Sequence, residues 1–294
     1  MVAPDEFIVP LALQDVAEQV AEEIDIREHA NTQSVFATPP PQATSPFRTY
    51  ANSFLAVAGG MDDSDSPEPI LDMTEARSRQ AELVDSEIFT NPITVIGAGA
   101  IGSFTVLTLA KIGFTNITVY DDDIVSVENI SNQFYRYRDI RTLKTIALRD
   151  MVRDFERITI QAWSSKWNRA IPIKGYIIMA VDNMAVRNEV YKFVKRNADV
   201  YGFIDGRMGG QQAEVYSVDL LQPEQKKVYE KYLWSDTEAS DLPCTQKAVM
   251  YNVLWIASMI VNNLRLMLEE KPFPQVMHMD FENVNHMNVT QAEE

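Results

Sequence analysis

Residues 93–129 read ITVIGAGAIGSFTVLTLAKIGFTNITVYDDDIVSVEN. The order is strand, tight glycine turn, helix, strand, then an acidic loop. Ile93, Val95 and Ile96 form a short β-branched run suited to a strand buried on both faces. Gly97, Gly99 and Gly102 follow at G-x-G-x-x-G spacing. The first allows the tight turn, the second lets a nucleotide phosphate approach the backbone, and the third packs helix on strand. Free N–H groups at the helix start then face the phosphates. A second predicted strand, Asn116 to Tyr120, leads into Asp121, placed to hold ribose hydroxyls about 20 residues past the glycines. The pattern specifies a nucleotide site and leaves NAD and ATP both open.

Residues farther on separate the two. Asp121 and Asp123 make a D-x-D loop, followed by Asn129, Gln133 and, eleven residues after the glutamine, Lys144. AVDNMAVRN occupies Ala180 to Asn188, and ARSRQ, Ala76 to Gln80, precedes the glycine strand. These segments, in this order, resemble the ThiF/MoeB/HesA family, ATP-dependent enzymes that activate ubiquitin-like proteins. The resemblance runs from Arg77 to about Leu268, and its several independent motifs are far more specific than the glycines alone.

The resemblance implies ATP and Mg²⁺ as cofactors and assigns a role to each matched residue. Gly97, Gly99 and Gly102 would cradle the phosphates, and Asp121, in its loop with Asp123, would bind the ribose. Asn129 and Gln133 would contact the phosphates, Lys144 would neutralise developing charge, and Asp182 would hold the metal. Arg79, at the position of the family's arginine finger, would reach across a homodimer interface. One position departs from the pattern: Asn132 stands where the family has an arginine that contacts the triphosphate. Arg136, Arg138 and Arg141 are the candidates to replace that charge.

Composition bounds the rest. A chain of 294 residues, 46% apolar, buries one good core with room for a small appendage. The formal net charge is −16, and residues 1–72 hold 13 acidic and 2 basic side chains of the total. No basic stripe is present to neutralise a nucleic acid. A single cysteine, Cys244, excludes an intrachain disulfide, and with three histidines no structural zinc is expected. The acidic N-terminus lacks the apolar run of a secretory signal. The most apolar stretch, Ala248 to Val261, is too short to span a bilayer. A cytoplasmic protein with no membrane partner is expected.

The core alternates elements. A helix is predicted near Thr142 to Phe155, a strand at Ile158 to Trp163, a strand at Tyr176 to Val181 and a helix at Met184 to Arg196. Strands at Val200 to Asp205 and Ala213 to Val218 follow, then a long apolar helix over Thr245 to Leu268 and a closing hairpin within 274–290. The rhythm predicts an α/β, Rossmann-like fold, a mostly parallel sheet with helices on both faces. It would occupy residues 76–294, after an acidic linker over 61–75 and a helical and extended segment over 1–60.

That first segment has one helical pattern, Leu13, Val16, Ala17, Val20 and Ile24, then a proline-rich run, and ends at Gly59 and Gly60 directly before Met61. Its tail resembles the Gly-Gly end of MoaD and ThiS, sulfur-carrier relatives of ubiquitin. Glycines let a tail thread a narrow channel and present its carboxylate to the ATP α-phosphate. Two readings stand: a carrier joined to its activating enzyme, or an acidic extension with a chance Gly-Gly. The 15-residue linker, fully extended, spans roughly 50 Å, long enough to reach an active site in the same chain or a dimer mate.

Adenylation of a carboxylate needs cations and a metal rather than a nucleophilic side chain. A second step would need Cys244, set in PCTQKA just before a helix, where the helix N-terminus lowers a thiol pKa. A thioester there would pass to a downstream conjugating enzyme; alternatively the cysteine is a small packed residue. An NAD(P)-dependent oxidoreductase would explain the glycines and Asp121 but leave Gln133, Lys144 and Asp182 without roles. A silent nucleotide-binding module is a third reading, made conceivable by Asn132, and relatives that activate a small carboxylate on tRNA would need the basic surface this chain lacks.

Overall fold

A computed structural model of the chain describes residues 77–233, 249–283 and 287–290. The predicted N-terminal helix, Gly59, Gly60, the linker over 61–75 and Cys244 lie outside the described residues.

Strand β1 (Ile93–Ile96) is buried along its whole length, as its β-branched run requires. It sits inside an eight-stranded sheet of order β3-β2-β1-β4-β5-β6-β7-β8. β2 (Ile117–Tyr120), β3 (Gln161–Trp163), β4 (Gly175–Met179) and β5 (Val200–Gly209) form its parallel part with β1. β6 (Gln212–Asp219), β7 (Val276–Asp280) and β8 (Met287–Thr290) add antiparallel strands at one side.

Helices cover both faces, because alternate side chains of each central strand point opposite ways and both sets are apolar. Val95, Val119, Ile178 and Ile204 meet α1 (Ala100–Ile112), α2 (Lys144–Glu156) and α5 (Met250–Leu268) on one face. Ile96, Ile177, Met179 and Phe203 meet α3 (Met184–Val194) and α4 (Pro223–Glu230) on the other. Among the described residues no helix is long and apolar enough to cross a membrane.

Several elements differ in extent from the sequence expectation: α5 starts at Met250, after an extended Val249, rather than at Thr245, and β4 ends at Met179 rather than Val181. β3 is only Gln161–Trp163: Arg157 ends α2 in a left-handed conformation, and the chain uses 158–160 to descend to the sheet, burying Ile160 without pairing it. β5 runs past Asp205 to Gly209, because β6 pairs with it as far as Gly209↔Gln212. Gly210, at φ +57°, supplies the left-handed residue of the two-residue turn between them. Helix α4, which the hydrophobic pattern did not announce, begins with Pro223 in its first turn.

β1 has β2 on one side and β4 on the other, so the connections leaving the two halves of the parallel sheet diverge above its C-terminal end. Such a switch point opens a crevice where ligands bind in open α/β sheets. Every strand-end motif singled out in the sequence is brought to this place.

Candidate active site

The crevice is a cleft of about 1120 Å³. Gly97 and Gly99 form its floor, Asp121, Asp122 and Asp123 one wall, and Asp182 and the start of α3 the other. Asn132, Gln133, Lys144 and Lys166 also line it. The far end is bounded by the β5–β6 turn, with Asp280 and Glu282.

The glycines are placed by contact. Gly97 has φ +100°, and a Cβ there would stand 2.5 Å from the Ala180 carbonyl oxygen; a Cβ on Gly102 would stand 1.9 Å from the Gly97 carbonyl oxygen. These two glycines let β1, α1 and the end of β4 close on one another. A Cβ on Gly99 would meet nothing within 4 Å. Its open side is the space a phosphate needs at the start of α1.

Around that turn the loops are fastened by polar contacts. Asp121 accepts the Ala98 N–H at 2.6 Å and the Asp123 N–H at 2.8 Å, so the end of β2 is tied to the glycine turn. Lys144 donates to Asp123 at 2.8 Å and opens helix α2. Tyr135 donates from its hydroxyl to the Ala98 carbonyl at 2.6 Å. Burial, reinforced by Asp121 and neighbouring carboxylates, raises the Tyr135 pKa well above the ordinary phenol value, which keeps that donor protonated.

Asp182 is exposed on the cleft, and it does not cap α3. The cap is Asn183, whose side-chain oxygen accepts the Val186 N–H at 3.0 Å. A helix-capping explanation of Asp182 therefore fails, and its carboxylate has no hydrogen-bond partner among the described residues. The carboxylates of Asp121, Asp122 and Asp123 also lie together, within 4.8 Å of one another. The buried side-chain oxygens of Asn132 and Gln133 have no hydrogen-bond partner. Both residues line the cleft. An open glycine turn and a free carboxylate across the cleft fit a nucleotide with a divalent cation.

Three predicted residues lie outside the cleft lining: Gly102, packed inward against the Gly97 carbonyl, Asn129 and Arg79. Asn129 uses its side-chain oxygen to accept the Ser126 N–H at 2.9 Å, holding the acidic loop closed. Arg79 is exposed in the short turn Ser78–Gln80, while Arg77 beside it is anchored to the Ala110 carbonyl at 3.4 Å and to Glu156 at 3.7 Å. The replacements suggested for the arginine missing at Asn132 are corrected by the structure. Arg136 grips Asp139 through two 2.9 Å bonds and reaches Asp154, Arg138 turns to Asp154, and Arg141 is exposed; none of the three lines the cleft.

Residues 78–293 match the ThiF family. The chain belongs to that family.

Its relatives are distant. The SUMO-activating enzyme subunit uba-2 of Caenorhabditis elegans is 27% identical over 154 residues, which is 49% of this chain and 25% of that protein. The chain thus spans about a quarter of that relative's length. Among solved structures, PaaA superposes with a TM-score of 0.60 at 15% identity, over 83% of this chain and 92% of its own. MccB of E. coli, solved with ATP, gives 0.57 at 15% identity over 70% and 65%. A second MccB structure, with AMPCPP and MccA, gives 0.58 at 14% identity over the same shares. These likenesses agree on the ThiF fold.

The ThiF-family site of this chain contains one assembly that sequence motifs did not single out. Asp205, fully buried on β5, accepts from Arg187 on α3, from Arg207 at 2.7 Å and from the Tyr229 hydroxyl at 2.9 Å. Arg187 also donates to the Val181 carbonyl, next to Asp182. Arg207 lies 4.4 Å from the centre of the Tyr216 ring. Asp205 and Arg207 are two apart on a strand, hence on one face; that spacing was the available clue. His278 pairs with Glu214 at 3.4 Å, and Met277 is packed in the core.

Proposed function

We propose that this ThiF-family chain uses ATP and Mg²⁺ to adenylate the C-terminal carboxylate of a ubiquitin-like protein or peptide. The observation that carries the reading is the pairing of an open glycine turn at Gly99 with an uncapped, exposed Asp182 across one cleft. An oxidoreductase has no use for that carboxylate. The relatives support the same reading: one is a SUMO-activating enzyme subunit, and MccB has been solved with ATP and with AMPCPP and MccA.

In the reaction, a carboxylate oxygen of the substrate attacks the α-phosphorus of ATP. The α–β phosphoanhydride bond breaks, pyrophosphate leaves, and an acyl-adenylate forms. Gly97, Gly99 and the start of α1 would bind the phosphates, Asp121 and Asp123 the ribose side, and Gln133 a phosphate oxygen. Lys144, held by Asp123 at 2.8 Å, is poised to offset charge on the phosphates. Asp182 would hold Mg²⁺, which supplies charge neutralisation on the departing pyrophosphate. A substrate tail ending in Gly-Gly, as at Gly59 and Gly60, would enter past the β5–β6 turn. Arg79, exposed in its turn, would serve a partner subunit of a homodimer. Cys244 is the candidate for a subsequent thioester, formed as its thiolate displaces AMP from the adenylate.

The test is ATP–pyrophosphate exchange with residues 1–60 supplied as a separate polypeptide ending in the free Gly60 carboxylate, beside a set of other Gly-Gly-ended carriers. Exchange with any of them, lost in Asp182→Asn, supports adenylation. ATP binding without exchange for any carrier favours a silent nucleotide-binding module.

A further inference from the structure

We propose that Lys166 supplies the positive charge that Asn132 withholds, moving from Asp122 onto the polyphosphate when the nucleotide binds. The inference rests on the proposed use of ATP. It begins with an electrostatic difficulty. One wall of the cleft carries Asp121, Asp122 and Asp123 with their carboxylates within 4.8 Å of one another. A triphosphate brought beside them is repelled unless mobile cations accompany it.

Among the described residues, the cations that line the cleft are Lys144, Lys166, Arg187 and Arg207. Arg187 and Arg207 are both committed to the buried carboxylate of Asp205. Withdrawing either would leave an uncompensated buried charge. Lys144 is nearly enclosed, its side chain 8% exposed, and is fixed to Asp123 at 2.8 Å. Lys166 differs on both counts. Its side chain is 80% exposed, and its ammonium stands 3.7 Å from Asp122, a loose contact in water. An exposed pair of that kind has little energy to hold it, so the lysine is free to exchange partners.

Its reach is sufficient. Asp122, its present neighbour, lies in the same carboxylate group as Asp121, and Asp121 touches the glycine-turn N–H of Ala98 at 2.6 Å. The ammonium therefore stands within a lysine side chain's swing of the turn. Trp167, next in sequence, is buried against Phe193 and anchors the loop from which Lys166 projects.

Calorimetric titration of the full chain with Mg·ATP and with adenosine, for wild type, Lys166→Met and Lys166→Arg, tests this directly. Because Lys166 is exposed, neither substitution threatens the fold, and matched thermal unfolding of the free proteins checks that. Lys166→Met is expected to weaken ATP about tenfold or more, the value of one charge-assisted hydrogen bond, while adenosine binding stays within about twofold and Lys166→Arg restores most of the loss. Unchanged ATP affinity in Lys166→Met overturns the proposal. Equal losses for ATP and adenosine also overturn it, because they place Lys166 on the nucleoside. Wild type that binds neither ligand contradicts the proposed function itself.

Discussion

Asn183 accepts the Val186 N–H at 3.0 Å and so caps α3, which leaves its neighbour Asp182 bare on the cleft. Two adjacent side chains of similar size thus have separable duties. Asn183→Ala should cost about 1 kcal/mol of stability, the usual value of an N-cap. Asp182→Asn should leave the urea midpoint near that of wild type and abolish Mg²⁺-dependent exchange. Urea titration and pyrophosphate exchange, run on both variants, separate the two roles.

The glycine turn makes a contrast of the same kind. Gly102→Ala drives a methyl into the Gly97 carbonyl, which stands 1.9 Å from its Cβ position, so overpacking of roughly 1–3 kcal/mol is expected with loss of nucleotide binding. Gly99→Ala meets no protein atom within 4 Å. It should fold within about 1 kcal/mol of wild type yet fail to bind ATP, because its methyl fills the phosphate space. Thermal unfolding with ATP titration distinguishes them.

Asp205 is the most exacting position in the site. It is fully buried between Arg187 and Arg207. Asp205→Asn removes the charge that both guanidiniums face, and breaking such a pair costs about 3–5 kcal/mol. Chemical denaturation should register that loss. Because Arg187 also holds the Val181 carbonyl, the same variant should weaken Mg²⁺ activation by loosening the segment that carries Asp182.

Most of the parallel sheet was legible because its signals are local. The β-branched run of Ile93, Val95 and Ile96, the glycines and the acidic residue after Tyr120 each report on a few neighbouring residues. Lys144 and Asp182 were reached differently, through short stretches that resemble ThiF/MoeB/HesA motifs. What escaped depends on distant partners. β5 extends beyond Asp205 because β6 pairs with its glycine-rich end, a decision made by tertiary pairing over local propensity. The Asp205 assembly joins α3, β5 and α4, and Lys166 matters only once Arg136 and Arg138 are seen to be engaged elsewhere.

Buried tyrosines set an alkaline limit. Burial raises the pKa values of Tyr135, Tyr216 and Tyr229, with nearby carboxylates adding to the shift. In the unfolded chain a tyrosine releases its proton near pH 10, whereas these retain theirs when folded. Above that pH the folded state binds more protons, so stability falls as pH rises. These groups should leave stability flat between about pH 7 and 9 and lower it steadily above about pH 10. Urea midpoints across that range check the sign. Tyr135→Phe should shallow the alkaline slope while costing about 1 kcal/mol at neutral pH for its lost hydrogen bond.

Equilibrium dialysis of the full chain against labelled ATP and labelled NAD, with and without Mg²⁺, tests the central reading most directly. Retention of ATP that strengthens with Mg²⁺ and disappears in Gly99→Ala, with NAD passing freely, is the expected result. NAD held in preference to ATP, or ATP held with no response to the metal, would contradict it.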